Sequence, residues 1–258
     1  MTNIKKEPTG YVIYRGPSLI DQQPIVVIAI TGKSTNKKTG DMVQTYILTD
    51  NGRTPVENAQ SGADVSVCGN CEHRPIMYTL GEGDGACYVN LGQGARAVHT
   101  ALIKGNYPAD KLAAQRAAAG RMVRLGTYGD PMAVPYYVWL SLILLAAGHT
   151  GYSNQWLENN YSDEQRAEIM RLCMASAADS TRADMARSLG LRYFRIRTAA
   201  EPLGKKEFKC PASEEAGKVK TCSSCGACDG SAKNTAASPV IIVHGSKKSR
   251  VINIALAV

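Results

Sequence analysis

Seven of the eight cysteines in this chain fall into two compact groups, and that grouping constrains what the chain can fold into more than any other feature. Cys68-Gly-Asn-Cys71 is followed by Cys87, among Gly69, Gly81, Gly83 and Gly85. Cys210 is followed by Cys222-Ser-Ser-Cys225-Gly-Ala-Cys228. Eight cysteines in 258 residues are far fewer than the roughly 8–10% of a secreted disulfide scaffold. The first ten residues have no apolar core or small-residue cleavage site, so they do not read as a signal peptide. The longest apolar run, 132–148, is shorter than the ~20 residues that span a bilayer and carries Pro135 and Ser141, so no membrane span is expected. A cytoplasmic chain keeps its thiols reduced, and clustered thiols there are explained by metal rather than by disulfides.

The two groups ask for different chemistry. Cys68 and Cys71, two residues apart, can converge on one ion or cluster, and the surrounding glycines let backbone N–H groups reach the sulfurs. With Cys87 they make three thiolates, which on a 4Fe–4S cluster leaves one iron open. A zinc ion would want a fourth ligand, for which His73 or Cys173 could serve. The bland alternative is two free loop thiols and a core cysteine. The second group, Cys210, Cys222, Cys225 and Cys228, supplies four thiolates and can close a site. Its Cys-x2-Cys-x2-Cys run matches iron–sulfur ligation, with a four-cysteine zinc knuckle as the rival. The segment around it is rich in Lys, Ser, Gly and Ala and needs a metal to order it. Lone Cys173 reads as a packed core residue.

The organisation is α/β. Segments 24–31 and 43–48 read as a β-hairpin, and 51–61 as a short helix with Pro55 in its first turn. Beyond Asp64, helices are expected at 91–104, 109–119, 132–148, 163–171 and 180–189. They alternate with strands at 121–127, 149–153, 172–175, 191–197 and 239–244. Such alternation implies βα units and a parallel sheet, too short for a complete eight-fold barrel. The expected fold is therefore a partial (β/α) barrel over 61–258, with an N-terminal β-rich segment, 1–60, packed on it. A cysteine-rich metal-binding insertion is expected at 201–237.

Thr150-Gly-Tyr-Ser-Asn154-Gln-Trp156 places hydrogen-bonding groups and an indole at a strand end, where α/β folds put ligand contacts; a capped turn with a packed Trp is the plainer reading. His244 ends an apolar strand as a candidate ligand or, more simply, a core-edge histidine. The formal charge of +8 is spread over Lys5-Lys6, Lys37-Lys38, Arg192 to Arg197, Lys218 to Lys220 and Lys247 to Arg250. Diffuse charge of this kind is ordinarily solvated surface, and it can steer nucleic acid or an anionic substrate.

Several of these features together resemble known proteins. A cysteine group after a first strand, ending in Cys87-Tyr88, resembles the cluster loop of radical S-adenosylmethionine (SAM) enzymes. Gly126-Thr-Tyr-Gly129-Asp130-Pro131 is similar to the Gly-Gly-Glu-Pro motif that receives the SAM amino group. The Cys210–Cys228 segment is similar to the auxiliary-cluster regions of some members. The order of features from about Gly40 to His244 also resembles an uncharacterised family of phage-encoded cysteine-rich proteins. The superfamily spacing is Cys-x3-Cys-x2-Cys, whereas this chain has Cys-x2-Cys-x15-Cys, Asp130 for the acid and Tyr128 for a glycine. The resemblance implies a radical-SAM-like partial barrel with one or two 4Fe–4S clusters. It assigns Gly129 and Asp130 to SAM contact, with SAM as a possible cofactor and a redox partner and a substrate whose identity is open; Asn154 and Trp156, from the strand-end reading, are further candidates for cofactor contact. The alternative is a non-catalytic, zinc- or cluster-stabilised phage or plasmid protein that binds nucleic acid.

Overall fold

The computed structural model describes residues 7–33, 36–231, 237–245 and 247–255. Lys5-Lys6 and part of the expected insertion, 232–236, lie outside the described residues. Nine strands form one sheet: β1 (Gly10–Pro17), β2 (Pro24–Ile30), β3 (Val43–Thr49), β4 (Met122–Tyr128), β5 (Gly148–Ser153), β6 (Met174–Ala177), β7 (Tyr193–Arg197), β8 (Glu207–Lys209) and β9 (Ser238–Ile242). The spatial order is β1-β2-β3-β4-β5-β6-β7-β9-β8. β1, β2 and β3 are antiparallel neighbours; every pairing from β3 onward is parallel. The sheet is not closed: β1 and β8 are its two margins. Because β3 pairs with β4, the N-terminal segment is built into the same sheet as the βα units.

The apolar run of β2, Ile-Val-Val-Ile-Ala, is buried throughout because it is a central strand covered on both faces. Further along, side chains alternate. Val123 and Leu125 of β4 are fully buried in the main core with Trp139, Leu142 and Leu172, while Arg124 and Gly126 face the opposite way. The expected helix 132–148 is three pieces: a 3-10 turn Pro131–Ala133, an α-helix Tyr136–Ile143, and the start of β5. Pro135 is responsible, since Val134 before it is held extended (φ −120°, ψ 137°) and the helix can begin only after it. Among the described residues no helix is long and apolar enough to cross a membrane.

The largest correction concerns charge. Arg192, Arg195 and Arg197 are not solvated surface: they are 4%, 2% and 6% exposed. Each is paired with acids, Arg192 with Asp229, Arg195 with Glu207 and Glu201, and Arg197 with Glu215. Arg195 and Arg197 share the face of β7 turned away from Phe194 and Ile196, as strand alternation requires. Cys173 is fully buried, and a Cβ added at Gly151 would lie 2.6 Å from its sulfur, so it packs against β5.

Candidate functional site

All seven grouped cysteines line one cavity of about 320 Å³. Its floor is the inner face of the sheet: Arg124 from β4, Thr150 and Tyr152 from β5, Ser176 from β6, Phe194 and Ile196 from β7, Ile241 from β9. The first cysteine group follows β3 and sits beside the turn that ends β4; the second leaves β8 and crosses back toward β5. The open side is bridged by loops. Lys38, from the β2–β3 turn, has its ammonium 3.2 Å from His244 Nε2 beyond β9, and the Tyr88 ring lies 4.9 Å from the His244 ring.

The first group rests on a loop held from within. Arg74, 6% exposed, donates to Asp64 Oδ1 (2.9 and 2.6 Å), to Gly69 O (2.9 Å) and to Gly62 O (2.7 Å). Gln155 Nε2 donates to Cys68 O at 3.0 Å, and a Cβ on Gly69 (φ 58°) would collide with that same carboxamide. Glycine there is therefore required twice, by backbone and by space. The N–H of Cys87 donates to His73 O (2.8 Å) and that of Gly85 to Glu72 O (3.2 Å), which folds Cys87 back beside Cys71.

The sulfurs already meet donors. The N–H of His73 points at Cys71 Sγ, that of Val89 at Cys87 Sγ, and that of Ala212 at Cys210 Sγ. Asn154 Nδ2 lies 3.1 Å from Cys71 Sγ, and the Tyr152 hydroxyl donates to Cys228. Burial nonetheless pushes the thiols up: Cys68 well above its ordinary value, and Cys71 and Cys228 each to about 12. Without an added positive charge these thiols stay protonated, and a metal ion is the kind of charge that would ionise them. None is in a disulfide. Among the described residues no group of three or more His, Cys, Asp or Glu is arranged to hold a single metal ion.

In the second group, Cys222–Cys225 is a single helical turn, capped by Thr221 and ended by Gly226 in the left-handed region. The N–H of Cys222 donates to Lys38 O (2.8 Å), that of Cys210 to Val240 O (2.8 Å), and that of Gly151 to Cys228 O (3.1 Å). Arg192 donates to Ala227 O (2.7 Å), Gly230 O (3.0 Å) and Ala237 O (3.2 Å).

Of the four residues assigned to cofactor contact, Gly129, Asp130 and Asn154 line the cavity and Trp156 does not. Trp156 is fully buried in a second apolar cluster, its indole N–H on Ser176 O at 2.9 Å. Asp130 is 7% exposed, and its carboxylate accepts from Met132 N (3.0 Å), Ser153 Oγ (2.8 Å) and Asn154 N (2.6 Å). Burial raises it to about 6 against those hydrogen bonds. Its acceptors are spent on holding the turn. Gly129 (φ 85°) lies so close to β3 that a Cβ would sit 2.7 Å from Ile47 Cβ. His73, also on the cavity wall, has Nδ1 within 2.8 Å of Asp84. Arg124 was not singled out by the sequence; an arginine between Val123 and Leu125 on a βα-type strand was the available signal. Comparison with protein-family models, curated proteins and solved structures returned no match.

Proposed function

We propose that the chain is an iron–sulfur protein, with Cys68, Cys71 and Cys87 holding a 4Fe–4S cluster that has one iron open to the cavity. Cys210, Cys222, Cys225 and Cys228 hold a second, closed cluster. The observation that carries this reading is the meeting of both thiol groups on one cavity, with N–H or O–H donors aimed at sulfurs of each. Donors of this kind are what cluster-ligating thiolates require. The parallel run from β3 to β9 supports a radical-SAM-like partial barrel. The cysteine loop follows its first strand, and the Gly126–Pro131 turn follows its second.

When bound, such a cluster supplies one-electron chemistry and an open coordination position. The chain's own residues then have distinct tasks. Asn154 orients Cys71, and Asp130 sets the turn that carries Gly129 against β3. Tyr152 ties the cavity floor to Cys228. Because the thiols of each group are not yet gathered on one point, metal uptake tightens both loops and becomes part of folding. The nucleic-acid alternative has less support, since three of the arginines behind it are buried and spent on carboxylates of the chain.

The test is the iron, sulfide and zinc content of protein isolated without oxygen. The reading expects brown protein with broad absorbance near ~400 nm and equal iron and sulfide. Cys87→Ala should remove the iron of one site and spare the other. Colourless protein with stoichiometric zinc refutes the proposal.

A further inference from the structure

The cavity carries a positive charge that no carboxylate of the described residues pairs with. Among the described residues the four buried arginines are each paired with a carboxylate: Arg74 with Asp64, Arg192 with Asp229, Arg195 with Glu207, Arg197 with Glu215. Arg124, half-buried on the cavity floor, differs from them. It has no carboxylate partner among the described residues. Its Nε is buried without a hydrogen bond, and its guanidinium lies 5.6 Å from the Tyr152 ring centroid. Thr127 Oγ1, also on the cavity wall, is a second buried polar atom without a partner. The one carboxylate among the described residues lining the cavity, Asp130, is consumed by its own turn. At the rim, Lys38 adds a further ammonium.

A guanidinium whose Nε is buried without a partner gains from an anion, and its planar fork fits a carboxylate or phosphate through two parallel hydrogen bonds. Beyond Thr150, Tyr152 and Ser176 the floor is apolar, with Phe194, Ile196 and Ile241 facing the same space. A charged point on an apolar floor, in a volume of about 320 Å³, selects a small organic anion over an inorganic one. We propose that the cavity between the two cysteine groups binds a small organic acid or phosphate ester, its anionic group on Arg124 and its apolar body against Phe194 and Ile196. This deepens the iron–sulfur reading by naming the substrate class of that cavity, and it takes from that reading only the placement of the two thiol groups around the ligand.

The experiment is calorimetric titration of the protein, as isolated without oxygen, with benzoate, phenyl phosphate and the neutral isostere benzamide. Iron and sulfide are measured on the same samples. One charge-assisted pair predicts that at least one anion binds about tenfold to a hundredfold more tightly than benzamide. Arg124→Gln should abolish that preference and Arg124→Lys should retain part of it. A Thr127→Val variant should weaken the anion by a smaller factor, and thermal melting checks that each variant is folded. Benzoate against phenyl phosphate tells the carboxylate from the phosphate source. Equal affinity for anion and amide, an unchanged preference in Arg124→Gln, or no binding of any probe overturns the proposal. An anion preference in protein free of iron upholds it while removing the cluster reading; iron with no preference does the reverse.

Discussion

Each cysteine group is held by one buried arginine, and the two arginines work over very different distances. Arg74 belongs to the loop that it organises: its donors reach Gly62, Asp64 and Gly69, all within twelve residues. Arg192 immediately precedes β7 and reaches Ala227, Asp229, Gly230 and Ala237, which are 35 to 45 residues away. The first loop is therefore a local device that the sheet receives ready-made through the Asp130 N–H on Val67 O (2.6 Å). The second is a long excursion sewn back to the sheet, and its order depends on those sheet contacts. The thiol environments differ in the same sense. Burial and the neighbouring Asp64 raise Cys68, while Cys210 keeps Lys38 near it as an opposing charge.

This contrast can be broken in four ways. Arg74→Met strands Asp64, 2% exposed, without its counter-charge, and should cost about 3–5 kcal/mol. Denaturant unfolding would measure the loss, and metal analysis should show the first site emptied and the second retained. Arg192→Met is expected to be milder, about 2–3 kcal/mol, because Asp229 is 36% exposed and can turn to water while the carbonyls lose their donors. Its signature is faster proteolysis within 211–230, with the first loop still protected. If both variants lose both metals together, the two regions are one cooperative unit and the contrast fails.

Gly69→Ala forces a left-handed residue to carry a Cβ, at about 1–2 kcal/mol, and displaces Gln155 from Cys68 O. It should lower first-site occupancy while leaving the second unchanged. The smallest effect is acid sensitivity. Although burial opposes its ionisation, Glu207 is held below the ordinary carboxylate range by Arg195, the Gly204 N–H and Tyr193. A depressed folded value means that this stabilisation is present above the unfolded value near 4.5 and is lost as pH falls through the folded one. Since β8 leads directly into Cys210, acid should loosen the second group first. Glu207→Gln should flatten that pH dependence, by about 1 kcal/mol, in melting curves taken from pH 6 downward.

Much of the frame was legible in local pattern. The β2–β3 hairpin, the Pro55 helix and most strands of the parallel run follow from β-branched runs, caps and turn residues. What was missed has identifiable causes. β1 begins at Gly10 and ends in Gly16-Pro17, was not expected as a separate strand, and pairs along β2. β8, three residues long, has no periodicity to detect and forms only against β9. Trp156 follows Asn154 by two residues, yet the 3-10 turn between them sends the indole into another cluster.

By itself, the chain's order of residues determined that two thiol groups exist, how many thiols each offers and that a largely parallel α/β sheet carries them. Such properties are local: spacing, periodicity and turn chemistry act over a few residues. That the groups share one cavity was decided only in three dimensions, because it needs strands from β3 to β9 assembled side by side and a lysine from one side to reach a histidine on the other. The fate of the arginines was decided there too. Arg192, Arg195 and Arg197 look like surface charge until remote carboxylates arrive to neutralise them, and Arg124 looks like one more strand residue until Asp130, the carboxylate on the same cavity wall among the described residues, turns out to be engaged by its own turn.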